Sequence, residues 1–278
     1  MISPENNPAG EAVERADVAL VSRGLAPSRE KAQALIASGL AAVNGAKIVK
    51  SAQKVRDTDA LTVLGAAHPY VSRGGLKLEK ALRVFGASAA GRVCMDIGAS
   101  TGGFTDVLLR NGARRVYAID VGAGQLDASL AGDPRVVSME HVNARALTAD
   151  MFPERPTLAV MDVSFISIRL ILPAALSVLG REGRLITLIK PQFEAGRAHI
   201  GKRGIVSSSA AHIEVLETLT RFLPGLGWQA RGLDYSPITG GDGNIEFLAD
   251  LTPIGEDAAP IDRAAIESLV RRAHAAMK

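Results

Sequence analysis

Three charged side chains lie at positions where the surrounding sequence predicts a hydrophobic core. Asp162 and Lys190 each follow a run of aliphatic residues, and Glu246 lies inside another such run. Open α/β sheets bind their ligands at the carboxyl ends of the strands, so Asp162 and Lys190 are expected where chemistry takes place. A structural ion pair is the alternative interpretation. For a lysine that adjoins a fully aliphatic strand this alternative is the weaker one, because such a charge needs a partner or a function.

A glycine-rich segment at residues 96–104 predicts a ligand-binding turn. It follows the first predicted strand of the sheet and opens a helix, and its glycines allow the backbone to approach a ligand closely. Asp120 ends the next predicted strand, where an acid commonly holds the two ribose hydroxyls of a bound nucleotide. The predicted cofactor-binding residues are Asp96, Gly98, Ser100, Gly102, Gly103, Phe104, Asp120 and Asn143.

The segment also indicates which nucleotide it binds. The dinucleotide pattern has three glycines in the spacing G-x-G-x-x-G, and Ser100 takes the place of the second. Asp96, ahead of the turn, suits a ligand with a positively charged amino-acid end better than one that carries a pyrophosphate. S-adenosylmethionine is such a ligand, and an NAD-linked oxidoreductase is the alternative. Asn143 is either a contact of the adenine or an ordinary loop asparagine.

The elements that must position these residues alternate between strand and helix. This alternation predicts an α/β fold with a wound, mostly parallel sheet of seven strands and helices on both faces. The predicted strands cover residues 93–99, 116–120, 136–141, 158–163, 183–189, 228–234 and 244–251. The predicted helices cover residues 103–110, 168–179, 210–223 and 262–277, and a further helical stretch follows residues 74–75.

The N-terminal part predicts a leader, a small module and a linker. Residues 1–14 form the leader, residues 15–64 the module, residues 65–70 the linker and residues 71–278 the larger domain. The module contains two short helices, of which the second is capped by Ser28 and stops at Gly39. An Asn44–Gly45 turn joins two short strands after it.

This module is basic. Between Arg15 and Arg56 eight basic side chains are opposed only by Asp17 and Glu30. On charge alone, a solvated surface and a phosphate-contacting surface are both acceptable interpretations. The second follows from the way basic modules gain affinity for nucleic acids, which is by neutralising backbone phosphates.

Composition excludes several classes of protein. The single cysteine, Cys94, excludes an intrachain disulfide and argues against a thiolate zinc site; we expect it to be buried and inert. The scattered histidines predict no metal site. The first residues lack the basic start and apolar core of a signal peptide, and the longest apolar stretch, residues 170–180, is shorter than the about 20 residues that a membrane span requires. We therefore expect a cytoplasmic enzyme.

Five segments resemble the TlyA (hemolysin A) family of ribosomal RNA 2′-O-methyltransferases, and the larger domain resembles the wider FtsJ-type ribose methyltransferases. The segments are residues 72–78, 96–104, 161–165, 189–194 and 240–246, and they occur in family order. The basic module resembles the alpha-L RNA-binding fold of a ribosomal small-subunit protein, through residues 29–32, 36–39 and 43–45. This second resemblance favours the phosphate-contacting interpretation of its charge.

The resemblance implies a Rossmann-like S-adenosylmethionine-dependent methyltransferase sheet joined to a small α+β RNA-binding domain. It implies a ribosomal RNA (cytidine) 2′-O-methyltransferase that acts on ribosomal RNA or ribosomal subunits, without an obligatory protein partner. The family's catalytic tetrad falls on Lys77, Asp162, Lys190 and Glu246. The expected RNA contacts are Arg15, Arg23, Arg29, Lys31, Lys47 and Arg73. Residues 66–69 depart from the Arg-Ala-Trp-Pro linker form of some members.

The chemistry of the implied reaction suits this tetrad. A ribose 2′-hydroxyl is a poor nucleophile until its proton is removed or its developing negative charge is stabilised. The methyl donor is already activated by its sulfonium, so the enzyme mainly aligns oxygen, methyl carbon and sulfur. Lys190 is expected to meet the hydroxyl, either as a neutral base after burial or as a cation that stabilises the oxyanion. Because neighbouring carboxylates favour the charged lysine, positioning and electrostatics are the preferred mechanism.

Two other functions compete with this one. A pore-forming haemolysin, the activity that named the family, requires a membrane-length apolar segment, and the sequence contains none. An RNA-binding protein with an inactive methyltransferase domain is disfavoured by the intact tetrad.

Overall fold

A computed structural model of the chain describes residues 13–26, 28–37, 39–63, 68–201, 204–255 and 259–277. The chain divides into two compact units, Met1–Ala67 and His68–Lys278. Most of the predicted leader, residues 1–12, and residues 64–67 of the predicted module and linker lie outside the described residues.

The first unit packs two helices against short antiparallel strands. β1 pairs with β4, and β2 pairs with both β3 and β5. Its core is aliphatic and includes Leu20, Ile36 and Ile48. The elements are β1 (Val13–Arg15), α1 (Ala16–Ser22), α2 (Arg29–Ala37), β2 (Ala41–Val43), β3 (Ala46–Lys47), β4 (Lys54–Arg56) and β5 (Leu61–Val63).

The predicted helix cap and the predicted turn of this unit are both present, whereas its first strand was not predicted. Ser28 Oγ accepts a hydrogen bond from the backbone N–H of Lys31 and so caps α2, and Asn44 has the left-handed φ of 50° that its turn requires. Val13 and Glu14, which were expected in the leader, form part of a strand. They belong to β1, because their backbone pairs with β4 some forty residues later, and no local pattern encodes that pairing.

The second unit is built on one seven-stranded sheet. The sheet has the order β11-β12-β10-β9-β6-β7-β8, and β12 runs in the direction opposite to the other six strands. The strands are β6 (Val93–Ile97), β7 (Arg115–Ile119), β8 (Val136–Met139), β9 (Leu158–Met161), β10 (Arg184–Ile189), β11 (Trp228–Tyr235) and β12 (Phe247–Pro253). The helices are α3 (Gly75–Phe85), α4 (Gly103–Arg110), α5 (Ala128–Ala131), α6 (Leu172–Leu179), α7 (Pro191–Glu194), α8 (Ser209–Phe222) and α9 (Arg263–Ala276).

Helices cover both faces of this sheet, which confirms the predicted fold class. Successive strand residues point to opposite faces, so Met95 of β6 joins one core and Cys94 joins the other. One face packs against α6, α8 and α9, and the other packs against α3 and α4. Burial raises the pKa of the Cys94 thiol to about 12, as expected for an inert buried cysteine.

Several predicted boundaries differ from the structure, most of them by one to three residues, and three of these differences have a clear physical reason or affect a site residue. The first strand ends at Ile97 rather than at residue 99, because Gly98 begins the turn with a φ of 83°. The predicted helix at residues 168–179 is divided into a 3-10 turn, Ile168–Leu170, and α6, where Pro173 stands in the first turn of the new helix. The last strand begins at Phe247 rather than at residue 244, so Glu246 precedes the strand instead of lying within it.

No helix in the part of the chain that the structure describes is long and apolar enough to cross a membrane.

Candidate active site

Four charged side chains of the second unit form a continuous chain of contacts. Lys77 Nζ lies 2.6 Å from Glu246 Oε2 and 3.7 Å from Asp162 Oδ2. On the other side of this aspartate, Asp162 Oδ1 lies 2.6 Å from Lys190 Nζ. The order Glu246, Lys77, Asp162, Lys190 alternates in sign, so each lysine adjoins at least one carboxylate.

The sheet brings three of these residues together through its strand directions. Asp162 and Lys190 follow the last residues of β9 and β10, which are parallel neighbours. Because β12 runs antiparallel to β10 and pairs Phe247 with Ile189, Glu246 lies opposite Lys190 at the same edge and on the same face of the sheet. The fourth member, Lys77, lies in the first turn of α3, which packs on that face.

Burial makes these contacts strong and interdependent. Lys77 is 8% exposed, Lys190 9% and Glu246 3%. Charges at this depth are tolerated only when they are paired, and removing one partner of a buried pair typically costs about 3–5 kcal/mol. The arrangement therefore holds two ammonium groups and two carboxylates in fixed positions at the sheet edge.

The turn before β12 is shaped around Glu246. A Cβ at Gly240 would lie 2.7 Å from Glu246 Oε1, so this position has no room for a side chain. The buried amide of Asn244 accepts a hydrogen bond from the N–H of Val206 at 3.0 Å and donates one to the carbonyl of Gly204 at 3.0 Å. These contacts explain the glycine at position 240 and the asparagine at position 244.

The glycine-rich turn lies directly beside the tetrad. The N–H of Asp162 donates to the carbonyl of Ile97, and a Cβ at Gly98 would lie 2.7 Å from the Asp162 carbonyl oxygen. A Cβ at Gly103 would lie 2.2 Å from Ser72 Oγ and 3.2 Å from the backbone nitrogen of Gly75. The turn therefore approaches both β9 and the start of α3 more closely than a side chain allows.

Two adjoining cavities open at this edge of the sheet. The larger has a volume of about 550 Å³ and the smaller about 220 Å³. Both are lined by Gly98, Ser100, Asp162 and Ser164, and Lys190 lines the smaller one. The larger volume falls in the range of small-molecule sites, about 300–1,000 Å³. The tetrad therefore adjoins a space of the size a nucleotide-like ligand requires.

Asp120 lies in the larger cavity, at the end of β7. Its Oδ2 accepts a hydrogen bond from the N–H of Ser100 at 2.8 Å, and its Oδ1 accepts one from the N–H of Gly122 at 2.8 Å. Each carboxylate oxygen keeps acceptor capacity beyond these contacts. Asp120 is thus oriented by the backbone and retains the ability to bind two hydroxyl groups.

Asn143 lines the same cavity and also has a local structural role. Its Oδ1 accepts from the N–H of Arg145 at 3.1 Å and caps a 3-10 turn. The amide nitrogen, which is the donor end, is left for other contacts. Both interpretations of this residue from the sequence are therefore compatible with its position.

Two predicted cofactor-binding residues lie outside both cavities. Asp96 is fully buried, and Thr105 donates a hydrogen bond to its Oδ2 at 2.7 Å, while Oδ1 has no hydrogen-bond partner among the described residues. Burial raises the pKa of Asp96 to about 7, against the lowering effect of Thr105. At Gly102, a Cβ would lie 2.3 Å from the side chain of Leu130, so this glycine serves packing. Of the remaining predicted residues, Gly103 and Phe104 line the smaller cavity.

The structure adds two hydroxyl groups that the sequence reasoning did not select. Lys190 Nζ donates a hydrogen bond to Ser164 Oγ at 2.8 Å, and Ser164 lines both cavities. Ser72 lines the smaller cavity, between the starts of α3 and α4. Ser164 could have been selected from the sequence, because it is a polar residue only two positions after Asp162. For Ser72, whose position depends on the packing of two helices, no local signal exists.

The predicted RNA contacts of the first unit fall into two groups. The guanidinium groups of Arg15 and Arg29 each lie 2.9 Å from the buried carboxylate of Asp17, and the Arg15 contact holds the pKa of that carboxyl far below its usual range. Arg23 donates to the carbonyls of Arg56 and Asp59. Within the described residues, the ammonium groups of Lys31 and Lys47 make no ion pair. The arginines thus have structural roles, and the lysines are exposed.

In the second unit, Arg73 is exposed and directly follows Ser72 of the smaller cavity. This places one predicted RNA contact beside the entrance of the candidate site.

Comparison with known families agrees with this architecture. The model of the FtsJ-like methyltransferase family matches residues 70–251, and the model of the S4 domain matches residues 14–61. The first match contains all four members of the charged chain and both cavities.

Known relatives match across most of the chain. YqxC of Bacillus subtilis (strain 168), described as a candidate rRNA methyltransferase, is 47% identical over 95% of each chain. The 16S/23S rRNA (cytidine-2′-O)-methyltransferase TlyA of Mycobacterium tuberculosis (strain ATCC 25618 / H37Rv) is 45% identical over 84% of this chain and 88% of its own. A solved structure from Streptococcus thermophilus, described as a candidate hemolysin, is 48% identical with a TM-score of 0.77 and covers 96% of this chain and 98% of its own. This chain belongs to the TlyA (hemolysin A) family of FtsJ-like methyltransferases.

Proposed function

We propose that this protein transfers the methyl group of S-adenosylmethionine to a ribose 2′-hydroxyl of ribosomal RNA, and that the modified nucleoside is a cytidine. One observation carries the proposal. In the charged chain Glu246–Lys77–Asp162–Lys190, Asp162 lines a cavity of nucleotide size and Lys190 lines the smaller cavity beside it. The relatives named for rRNA 2′-O-methylation supply the substrate class, and the cytidine assignment follows the name of the Mycobacterium tuberculosis relative.

The residues present fit S-adenosylmethionine. The larger cavity offers a carboxylate, Asp120, for the ribose hydroxyls and an amide, Asn143, for the base. Gly98 lines this cavity, and a Cβ at its position would lie 2.7 Å from the carbonyl oxygen of Asp162. When bound, the cofactor supplies an electrophilic methyl group on a sulfonium. Ser100, Gly103 and Phe104 are proposed as further contacts of the cofactor. The fully buried Asp96 accepts a hydrogen bond from Thr105 and so connects the end of β6 to α4.

The tetrad supplies positioning and charge. Lys190, at the end of β10, is the member that lines the smaller cavity, so its ammonium group meets the acceptor hydroxyl there. Contact with a cation stabilises the negative charge that develops on the oxygen as its proton leaves. Asp162 orients Lys190, and Lys77, which is paired with Glu246, lies against the other oxygen of Asp162. Because Asp162 Oδ1 lies 2.6 Å from Lys190 Nζ, we assign electrostatic stabilisation rather than base catalysis to Lys190.

The first unit is proposed to capture RNA, as its S4 match suggests. Lys31 and Lys47 are the side chains best suited to phosphate contact, because their charges are not neutralised by an ion pair among the described residues. Arg15, Arg23 and Arg29 contribute through the surface that they stabilise, and Arg73 acts beside the candidate site. Since ribosomal RNA is the substrate, the cytoplasm is the proposed site of action.

Mapping of 2′-O-methyl positions tests the whole proposal. Ribosomal RNA from cells with and without the protein should differ at one or more cytidines. The purified protein should restore those positions when it is given S-adenosylmethionine and unmodified ribosomal subunits, and a Lys190→Ala variant serves as the matched control. Identical maps from the two cell types would contradict the function, and a modified nucleoside other than cytidine would contradict only the finer assignment.

A further inference from the structure

Ser164 is a fifth polar group of the reactive centre, and the tetrad gives it no role. Its Oγ accepts a hydrogen bond from Lys190 Nζ at 2.8 Å, while Asp162 Oδ1 lies 2.6 Å from the same nitrogen. Ser164 is exposed and lines both cavities. The hydroxyl therefore lies where cofactor space and acceptor space meet, in direct contact with the lysine assigned to the acceptor.

We propose that Ser164 is a positioning residue for methyl transfer, which acts by fixing the direction of the Lys190 ammonium group. A lysine ammonium has three N–H donors; that of Lys190 donates a hydrogen bond to Ser164 Oγ, whereas its ion pair with Asp162 Oδ1, at 2.6 Å, does not have hydrogen-bond geometry. Among the described residues the Lys190 ammonium has no third partner, so a donor is left for the acceptor oxygen. With Asp162 as its sole contact, the flexible side chain would pivot about that ion pair. The inference rests on the proposed function, because it assumes that Lys190 meets the acceptor.

The loop that carries Ser164 is held by other contacts. Glu194 of α7 accepts a hydrogen bond from the hydroxyl of Ser167 at 2.7 Å and another from the N–H of Ile168 at 2.7 Å. These bonds tie the loop after β9 to the helix after β10 without any contribution from Ser164. The contact between Ser164 and Lys190 is therefore not needed to order the loop, which favours a role in directing the lysine.

Single-turnover methyl transfer with saturating cofactor and RNA measures this role. Ser164→Ala should slow the transfer by roughly tenfold or more, the scale of one hydrogen bond to a charged group. The dissociation constants of S-adenosylmethionine and RNA should remain unchanged. Ser164→Thr, which keeps the hydroxyl at an exposed position, should restore most of the rate. Ser167→Ala is the matched control, because it removes a hydroxyl from the same loop that contacts Glu194 instead of Lys190, and it should transfer methyl at the normal rate.

A double-mutant cycle tests whether Ser164 acts through Lys190. In the Lys190→Ala background, Ser164→Ala should cause no further loss, since the group that it positions is gone. A full loss in both backgrounds would overturn the inference, as would a normal rate for Ser164→Ala or an equal loss for Ser167→Ala. A wild-type protein that transfers no methyl group to RNA would instead contradict the proposed function, and the inference would fall with it.

Discussion

The backbone carbonyl of Asp162 lies so close to Gly98 that a Cβ at position 98 would be 2.7 Å from its oxygen. Gly98 also has a φ of 83°, which a residue with a side chain rarely adopts. Gly98→Ala should lower the free energy of unfolding by about 1–3 kcal/mol and weaken the binding of S-adenosylmethionine, because the turn must move away from Asp162. Urea unfolding and calorimetry measure the two effects.

Gly91→Ala is the control for this substitution. Gly91 has a similar φ of 69° but open space around the position of a Cβ. It should therefore share the conformational strain and leave cofactor affinity unchanged. Equal affinities for the Gly98 and Gly91 variants would show that the close approach to Asp162 does not shape the binding site.

Replacing Lys190 should separate chemistry from cofactor binding. Lys190→Ala should slow single-turnover methyl transfer by roughly 10²-fold or more, the scale of one oxyanion contact, while the affinity for S-adenosylmethionine barely changes. The control is Lys80→Ala. Lys80 Nζ lies 3.2 Å from Asp234 Oδ2 and takes no part in the tetrad, so this variant should lose stability but not transfer rate. A near-normal rate with weakened cofactor binding in Lys190→Ala would assign the lysine to the donor.

Asp96 should make the free energy of unfolding depend on pH. Burial raises its pKa in the folded protein from 3.8 to about 7, so in that interval the folded state binds more protons than the unfolded state. The Asp96 contribution therefore destabilises the protein progressively as the pH rises from about 4 to about 7. Asp96→Asn should remove it, and the stability of the variant relative to the wild type should increase across this interval. Urea unfolding at a series of pH values, without cofactor, measures the difference.

Asp133→Asn provides the comparison for this titration. The hydrogen bonds from Arg135 lower the pKa of Asp133 to about 2, so its stabilising contribution is lost only as the pH falls from about 4 towards 2. The difference in the free energy of unfolding between this variant and the wild type should therefore be constant from about pH 5 to about pH 7, where the Asp96 contribution still changes. A constant difference for Asp96→Asn as well would mean that Asp96 is ionised throughout.

The exposed lysines of the first unit should set the salt dependence of RNA binding. The variant with Lys31→Ala and Lys47→Ala should bind RNA more weakly, and the slope of log affinity against log salt should fall by about one unit for each lost phosphate contact. Arg263→Ala, which removes an exposed charge paired with Glu217 and Glu267 in the second unit, is the control and should leave the slope unchanged. If the lysine variant also keeps its slope, those side chains are only solvated.

The features that the sequence predicted are the ones encoded by adjacent residues. The helix at Gly103–Arg110 has the predicted bounds, because a glycine-rich turn starts it and its apolar periodicity continues it. Asp162 and Lys190 were placed correctly at strand ends because each interrupts an aliphatic run. The structure confirms seven strands in a mostly parallel sheet.

The features that the sequence did not predict depend on contacts between distant segments. The pairing of Arg15 and Arg29 with Asp17 gives two predicted RNA contacts a role in the fold as well, and no charge count reveals that role. Asp96 was expected to face the ligand, yet the alternation of β6 directs it towards Thr105 of α4. The role of Ser164 could not be predicted for the same reason, because its contact with Lys190 forms only when the sheet places the ends of β9 and β10 side by side.

The antiparallel β12 makes the reactive edge unequally tolerant of changes in chain length. Lys190 and Glu246 lie opposite each other because Ile189 pairs with Phe247. A residue inserted at the exposed tip of the turn before Glu246, among residues 241–243, leaves that pairing intact. A residue deleted within β12 shifts the register by one, which turns every following side chain of the strand to the other face of the sheet. Natural length variation in this family should therefore be absent from Phe247–Pro253.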